Sequence, residues 1–531
     1  MENEKELSLS KKSQTFISNF LVSHQSSKKY LTKTDNEKTI NSALLYEKLR
    51  VAAEYQEEHL IFKNAIARII RRKYTLLPSI TEDRLLSDLV SELSWADYVN
   101  PETIDEETWE ATKEIIRRYL ILLKYARSGH FRKHDLQKMI INWLACEIDE
   151  LMKPKRENDI LVDYVYSILK DSISTNGSRI TDEENELALK TTILSLLLKP
   201  DLALTQYWLL IKVYPTWKNF PDDDIKKFGR SFDPYYNKID RFINHPYHLK
   251  YTQFVKKNIA PFLVLRAALL SNEFEEDHIT KEPARLHSAA METYSTLVQA
   301  VRRKVIQATF RALLFIFLTK ITLAFAIEIP FDHYLAGQIN YFSLTINVLL
   351  PPILMFISGA FIKSPPPRNS KVISQTISNI LFEDKIDDKV FVLVGEKQAK
   401  SFVFFNLFYS MLSIGVLICS LWLLLFLKFN VISIFLFFLF VSIVSFFAFR
   451  IRNLALELAM KRSRDDALTS AIELIFLPFI RIGKYLSGQF ANFNPFILFL
   501  DFLIEAPLKT IIRIVNSWLR FINTKKEEIE F

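Results

Sequence analysis

The sequence predicts an all-α polytopic membrane protein with four transmembrane helices and a large N-terminal cytoplasmic helical domain. Three observations carry this. FVFFNLFYSMLSIGVLICSLWLLLFL (402–427) and VISIFLFFLFVSIVSFFAF (431–449) contain no charged residue. A bilayer core about 30 Å thick needs ~20 apolar residues as helix, because unsatisfied backbone polar groups are prohibitive in hydrocarbon. A second apolar hairpin, 312–329 with 344–362, precedes the first. Upstream, to about residue 280, apolar residues recur at helical spacing, with no sustained alternation and no two-residue hairpin turn.

Taken in order, residues 1–39 are polar and rich in Ser, Lys and Glu. They read as a disordered or loosely helical tail, and no signal peptide is discernible. Residues 40–280 form the helical domain. Leu45, Leu49, Ala52, Leu60, Ile66, Ile69 and Ile70 keep a 3–4 step, and Thr103 with Glu106 and Thr181 with Glu184 read as capping boxes. Gly129, Gly177 and Pro200 fall at helix ends, and Pro215, Pro221 and Pro234 interrupt Tyr214–Tyr236.

Residues 281–311 read as a stalk continuing into the first span. Leu286, Ala290, Tyr294, Leu297, Val301, Val305 and Ala308 form one stripe, with neither Pro nor Gly from there to Ile329. A single helix of about 45 residues, about 70 Å long, is expected. Such a stripe needs a partner helix. The candidates are Arg450–Asp466 of the same chain and the stalk of a second copy.

The loop 363–401 leaves the second span through Pro365, Pro366 and Pro367. It offers a helix at Val372–Phe382 and one plausible strand, VFVLV at 390–394. Residues 450–531 are expected to be cytoplasmic and interfacial. ELIFLPFIRI and NPFILFLDFLIEAP are too interrupted to span. Leu508–Ile522 is amphipathic, with Trp518 on its apolar face and Lys509, Arg513 and Arg520 on its polar one, which suits a lipid interface.

Orientation follows from the basic residues. Arg302, Arg303, Lys304 and Arg311 precede span one; Lys363, Arg368 and Lys371 follow span two; Arg450, Arg452, Lys461, Arg462 and Arg464 follow span four. The loop at 330–343 carries Asp332 and no Lys or Arg. Positive charge marks the cytoplasmic side, so both termini are placed there, in a plasma or inner membrane.

The net charge of +8 is concentrated beside the spans and suits anionic lipid better than nucleic acid, which is not expected as a partner. RIIRRK at 68–73 lacks interleaved aromatics. With 9 glycines in 531 residues and neither nucleotide-binding glycine motif, no cofactor is implied. The two cysteines, Cys146 and Cys419, lie in a soluble helix and mid-membrane, and no disulfide between them is expected.

Four sets of residues stand out chemically. Lys320, near the middle of span one, has Glu328 on a similar face. Asn347 in span two is within reach, and Pro351 and Pro352 should break that span nearby. Together they could line a transport path. His130 with His134 and His245 with His248 would ligate zinc only if the two segments met; core or surface histidines are the plainer reading, and no metal is assigned. Asp501 and Glu505, one turn apart, form an acidic pair. Lys509, Arg513, Trp518 and Arg520 form the interfacial set. Without a catalytic signature, the leading expectation is a membrane-anchored interaction or scaffold protein whose residues 40–280 bind a protein partner. A channel or transporter at Lys320, Glu328 and Asn347 comes second, and a membrane-bound enzyme third.

Overall fold

A computed structural model of the chain describes residues 8–32, 60–96, 98–174, 181–271, 283–334, 341–362, 367–386, 391–392, 400–460, 467–492 and 518. The described residues are almost wholly helical. They begin with α1 (Lys11–Thr32), α2 (Ile61–Leu76), α3 (Glu82–Trp95), α4 (Glu106–Tyr125), α5 (Lys133–Met152) and α6 (Arg156–Leu169). Then come α7 (Asp182–Leu197), α8 (Leu202–Val213), α9 (Asp222–Arg230), α10 (Phe232–Ile243), α11 (His248–Asn258) and α12 (Ala260–Ser271). The longest, α13 (Pro283–Leu323), runs into a π-helical turn at Ala324–Glu328 and the short α14 (Ile329–Tyr334). The chain continues with α15 (Tyr341–Phe361), α16 (Pro367–Glu383), α17 (Lys400–Phe426), α18 (Val431–Ala455) and α19 (Ala467–Asn492). One short parallel pair, β1 (Ile173–Ser174) on β2 (Phe391–Val392), is the form taken by the expected strand.

Among the described residues, four stretches are long and apolar enough to cross a membrane: Ala284–Tyr334, Tyr341–Ala360, Leu407–Phe426 and Val431–Ala455. They mark a membrane-embedded protein. Span two does not break at Pro351 and Pro352, as the sequence suggested; both sit inside α15. The two rings remove the N–H groups that Asn347 and Val348 would otherwise receive, and the helix continues with those carbonyls freed.

The helices outside the spans build two cores. One, the second lobe, joins α2 to α5 with α8 to α10 around Trp143, Tyr119, Trp217, Phe228 and Phe232, all fully or almost fully buried. In it Arg118 pairs with Glu147, whose other oxygen accepts Tyr119 Oη at 2.9 Å and Trp217 Nε1 at 3.1 Å. Two cations of the basic run at 68–73 are paired with acids there: Arg72 with Glu92, and Lys73, whose Nζ lies 2.8 Å from Asp88.

The first lobe gathers α6, α7, α11 and α12 with pieces from elsewhere in the chain. Phe16, Ile17, Phe20 and Leu21 come from α1. Leu286, Ala290 and Tyr294 come from the start of α13, Ile373, Ile377, Ile380 and Leu381 from α16, and Leu458 from beyond α18. The loose tail expected from composition is therefore corrected in part: Phe20 of α1 is fully buried. Trp208 and Phe242 lie against both cores and form the seam.

The long stripe on α13 is covered within the chain. Its lower residues pack in the first lobe with α12 and α16. Val305 meets Ile451 and Ala455, which belong to the anticipated continuation of the fourth span. The segments before span one, after span two and after span four thus lie on one side of the spans. Asn369 ties them together: its Nδ2 donates to Tyr294 Oη and to the Leu458 carbonyl, each at 2.8 Å, and its Oδ1 accepts Met460 N at 2.9 Å.

Local chemistry explains several helix starts. Thr181 caps α7, accepting Glu184 N at 3.3 Å, which is one half of the expected capping box, while the Glu184 carboxylate pairs with Arg241 at 2.8 Å. Thr103 does not cap α4: it closes a turn of 3-10 helix, and Asp105 takes the cap, accepting Thr108 N at 2.9 Å. Asp222, Asp223 and Asp224 open α9, where acids complement the helix dipole.

Candidate functional site: a buried charge cluster among three spans

Eight residues separate Lys320 from Glu328. In a regular α-helix that spacing turns the second side chain about 80° away from the first. The π-helical turn at Ala324–Glu328 absorbs one extra residue. The separation becomes equivalent to about seven α-helical positions, close to two full turns, and both groups share a face. Lys320 Nζ lies 2.6 Å from Glu328 Oε1, and neither residue has any solvent exposure.

Spans two and four complete the cluster. Glu328 Oε2 accepts Asn347 Nδ2 at 2.9 Å and Ser433 Oγ at 3.3 Å. Asn347 Nδ2 also reaches the Ser433 carbonyl at 3.2 Å. The Lys320 ammonium stands 5.1 Å from the centroid of the Phe440 ring. Ser433 is placed by the start of α18, where Asn430 caps the helix by accepting Ser433 N at 2.7 Å. Asn430 then donates its amide to Asp332 on α14. Just before that cap, Lys428 adopts a φ of 58° to turn the chain between spans three and four, and Phe429 N bonds back to the Leu424 carbonyl at 3.0 Å.

The cluster is one-sided. From Lys320 towards the Asp332–Asn430 end the interior is polar. Towards the lobes it is apolar, filled by Ile316, Met355, Phe440 and Val444. Removing two ions from water costs several kcal/mol each, and a short ion pair with further hydrogen bonds offsets this only when its geometry is good. Here both Glu328 oxygens are occupied. One group is left over: Asn347 Oδ1 is buried with no hydrogen-bond partner among the described residues.

The structure thus brings together Lys320, Glu328 and Asn347, with Pro351 and Pro352 one turn beyond Asn347 in the same helix. Ser433, Asn430 and Asp332 were not foreseen as members. An Asn three residues before a Ser at the head of an apolar run is a readable cap, but nothing in the sequence aims it at Asp332.

Of the other candidates, the histidines do not assemble. His130 and His134 are exposed around the start of α5, whereas His245 is buried against the Tyr251 ring, with centroids 5.9 Å apart. Among the described residues no three His, Cys, Asp or Glu side chains converge as metal ligands, so the four-histidine alternative is not formed. Burial depresses the basicity of both His245 and His248. Asp501, Glu505, Lys509, Arg513 and Arg520 lie outside the described residues; Trp518 is described only as helical and exposed. Cys146 and Cys419 are both free thiols, the first buried in the second lobe and the second exposed on α17.

Fold and cluster together define an all-helical, membrane-embedded protein. Beyond that class, no protein-family model, curated protein or solved structure matches the chain.

Proposed function

We propose that the protein is a membrane-anchored scaffold, its lobes facing the cytoplasm and presenting a helical surface to a protein partner. One observation carries this reading. The first lobe shares a continuous core with the segments leaving spans one, two and four, clasped at Asn369. The second lobe joins it along a helical seam, so its position relative to the membrane is fixed. The basic residues beside those segments support a cytoplasmic side. In this reading the Lys320–Glu328 cluster is a pin that holds three spans in register beneath the lobes.

The test uses the full chain in lipid nanodiscs, because a fragment of residues 40–280 would cut through the first core. A partner that co-purifies stably and is lost on substitution of lobe surface residues supports the scaffold. Reporters fused at Asn340 and Asn379 should read as extracytoplasmic and cytoplasmic; the reverse would overturn the orientation. A second reading, a channel or transporter using Lys320, Glu328 and Asn347, is favoured by the unpartnered Asn347 Oδ1, which a water or ion would satisfy. Selective flux through liposomes holding the purified protein, abolished by Lys320→Leu, would put it first. Liposomes that conduct nothing would remove it.

A further inference from the structure

The helix α19 (Ala467–Asn492) contains Pro478 and carries Arg481 and Lys484. By composition it belongs with the cytoplasmic and interfacial remainder of the chain. Its packing says otherwise. Pro478, Phe479 and Gly483 are buried against α18. Phe479 stacks on Phe438, with centroids 6.1 Å apart. A β-carbon on Gly483 would overlap the backbone carbonyl of Ser442, so the two helices cross backbone to backbone at that point. A glycine in a helix interior is otherwise unfavourable, and close helix approach is the use that justifies it.

Ser442 fixes the depth. It lies about 17 Å along the helix from Val431 and about 12 Å from Arg450, the ends of the uncharged fourth span, at 1.5 Å per residue. In a hydrocarbon core about 30 Å thick, that is near the middle. The opposite face of α19 is apolar and open: Leu474, Ile475, Ile482 and Tyr485 are all exposed. That face continues the open apolar surface of α17, where Leu407, Phe408, Ile414, Ile418 and Trp422 are exposed.

From this we infer that α19 is a fifth membrane-embedded helix, docked at mid-depth on span four and meeting lipid acyl chains through Leu474, Ile475 and Ile482. Cations at such a depth are costly, and α19 provides for them. The Arg481 guanidinium lies 4.6 Å from the centroid of the half-buried Tyr409 ring on α17, a cation–π contact. Lys484 is exposed, and its four-carbon stem can carry the ammonium towards the headgroups.

The experiment places single cysteines at Ile475 and Ile482 in full-length protein carrying Cys146→Ala and Cys419→Ala, reconstituted in phosphatidylcholine vesicles. Leu202→Cys, on the exposed start of α8, is the aqueous reference, and Leu421→Cys on α17 is the lipid-facing one. Both α19 positions should resist a membrane-impermeant maleimide added to both faces, at least 10-fold slower than Leu202→Cys. Attached through a permeant maleimide, a fluorophore there should be quenched more by nitroxide lipids labelled near the acyl-chain end than by headgroup-labelled ones, as at Leu421→Cys. Labelling as fast as at Leu202→Cys, or stronger quenching by the headgroup nitroxide, would overturn the inference. A paired control is independent of these labels: Gly483→Val should undock α19 and expose Ile482→Cys, whereas Gly415→Val, with nothing within 4 Å of its β-carbon, should not. Equal behaviour of the two would also count against the docking.

Discussion

The buried pair at Lys320 and Glu328 makes opposite predictions for single and double substitution. Glu328→Leu removes the acceptor for the Lys320 ammonium, the Asn347 amide and the Ser433 hydroxyl at once. It leaves a buried unpaired cation, a lesion expected to cost about 3–5 kcal/mol. Lys320→Met should cost less. The carboxylate keeps its donors from Asn347 and Ser433 and loses one charge-assisted hydrogen bond, about 1.5–3 kcal/mol. The double variant Lys320→Met with Glu328→Leu replaces the ions by apolar groups of similar size. Apart from the Asn347 amide and Ser433 hydroxyl, which lose the carboxylate here as they do in Glu328→Leu, it should fall within about 1.5 kcal/mol of the parent, the usual penalty for a volume-conserving core swap. The coupling in this cycle is then at least ~3 kcal/mol, because the loss at Asn347 and Ser433 is common to Glu328→Leu and the double variant and cancels. Reversible unfolding of the four proteins in mixed detergent micelles, titrated with SDS, reads these differences. If the penalties of the single variants simply add in the double, the ion pair is not the connection that holds the cluster, and the pin is wrong.

Three further predictions follow from the same geometry. Asn369→Ala removes three hydrogen bonds from a buried clasp, about 1 kcal/mol each; limited proteolysis should then cut near Leu456–Met460 at protease levels that leave the parent intact. Gly359→Leu places atoms where Thr309 packs, so spans one and two must part; a loss of about 1–3 kcal/mol in the same micelle titration is expected, and an unchanged midpoint would deny the close crossing. His245 and His248 are held less basic by burial, so the unfolded chain binds protons first as pH falls. Their contribution is complete above about pH 6.5 and declines below it. The nearby Glu184 moderates this at His245 and Arg241 reinforces it. Melting temperature should drop between pH 7.5 and 5.5, and His245→Asn with His248→Asn should flatten that drop.

Sequence alone determined the class of protein. Uncharged runs as long as 402–427 and 431–449 have no stable home but helix in hydrocarbon, and the 3–4 spacing of the upstream residues admits little besides helix. Lys320, Glu328 and Asn347 were also legible as a set, because an ion or amide in an apolar span must find a partner. What the sequence left open needed distances between residues far apart in the chain. The sequence suggests a similar face for Glu328 and Lys320, but eight residues of regular α-helix would turn one about 80° away from the other; the local π-helical turn that brings Glu328 round is announced by no residue pattern. The same holds for α1, whose polar composition concealed Phe16 and Phe20 packed beneath α6. It holds too for Asn369, whose three partners lie 75 to 91 positions away. In α19, charge and proline read as breaks, yet Gly483 allows the helix to seat against Ser442. Periodicity reports which face of a helix is apolar; which neighbour covers that face depends on packing among all the helices together.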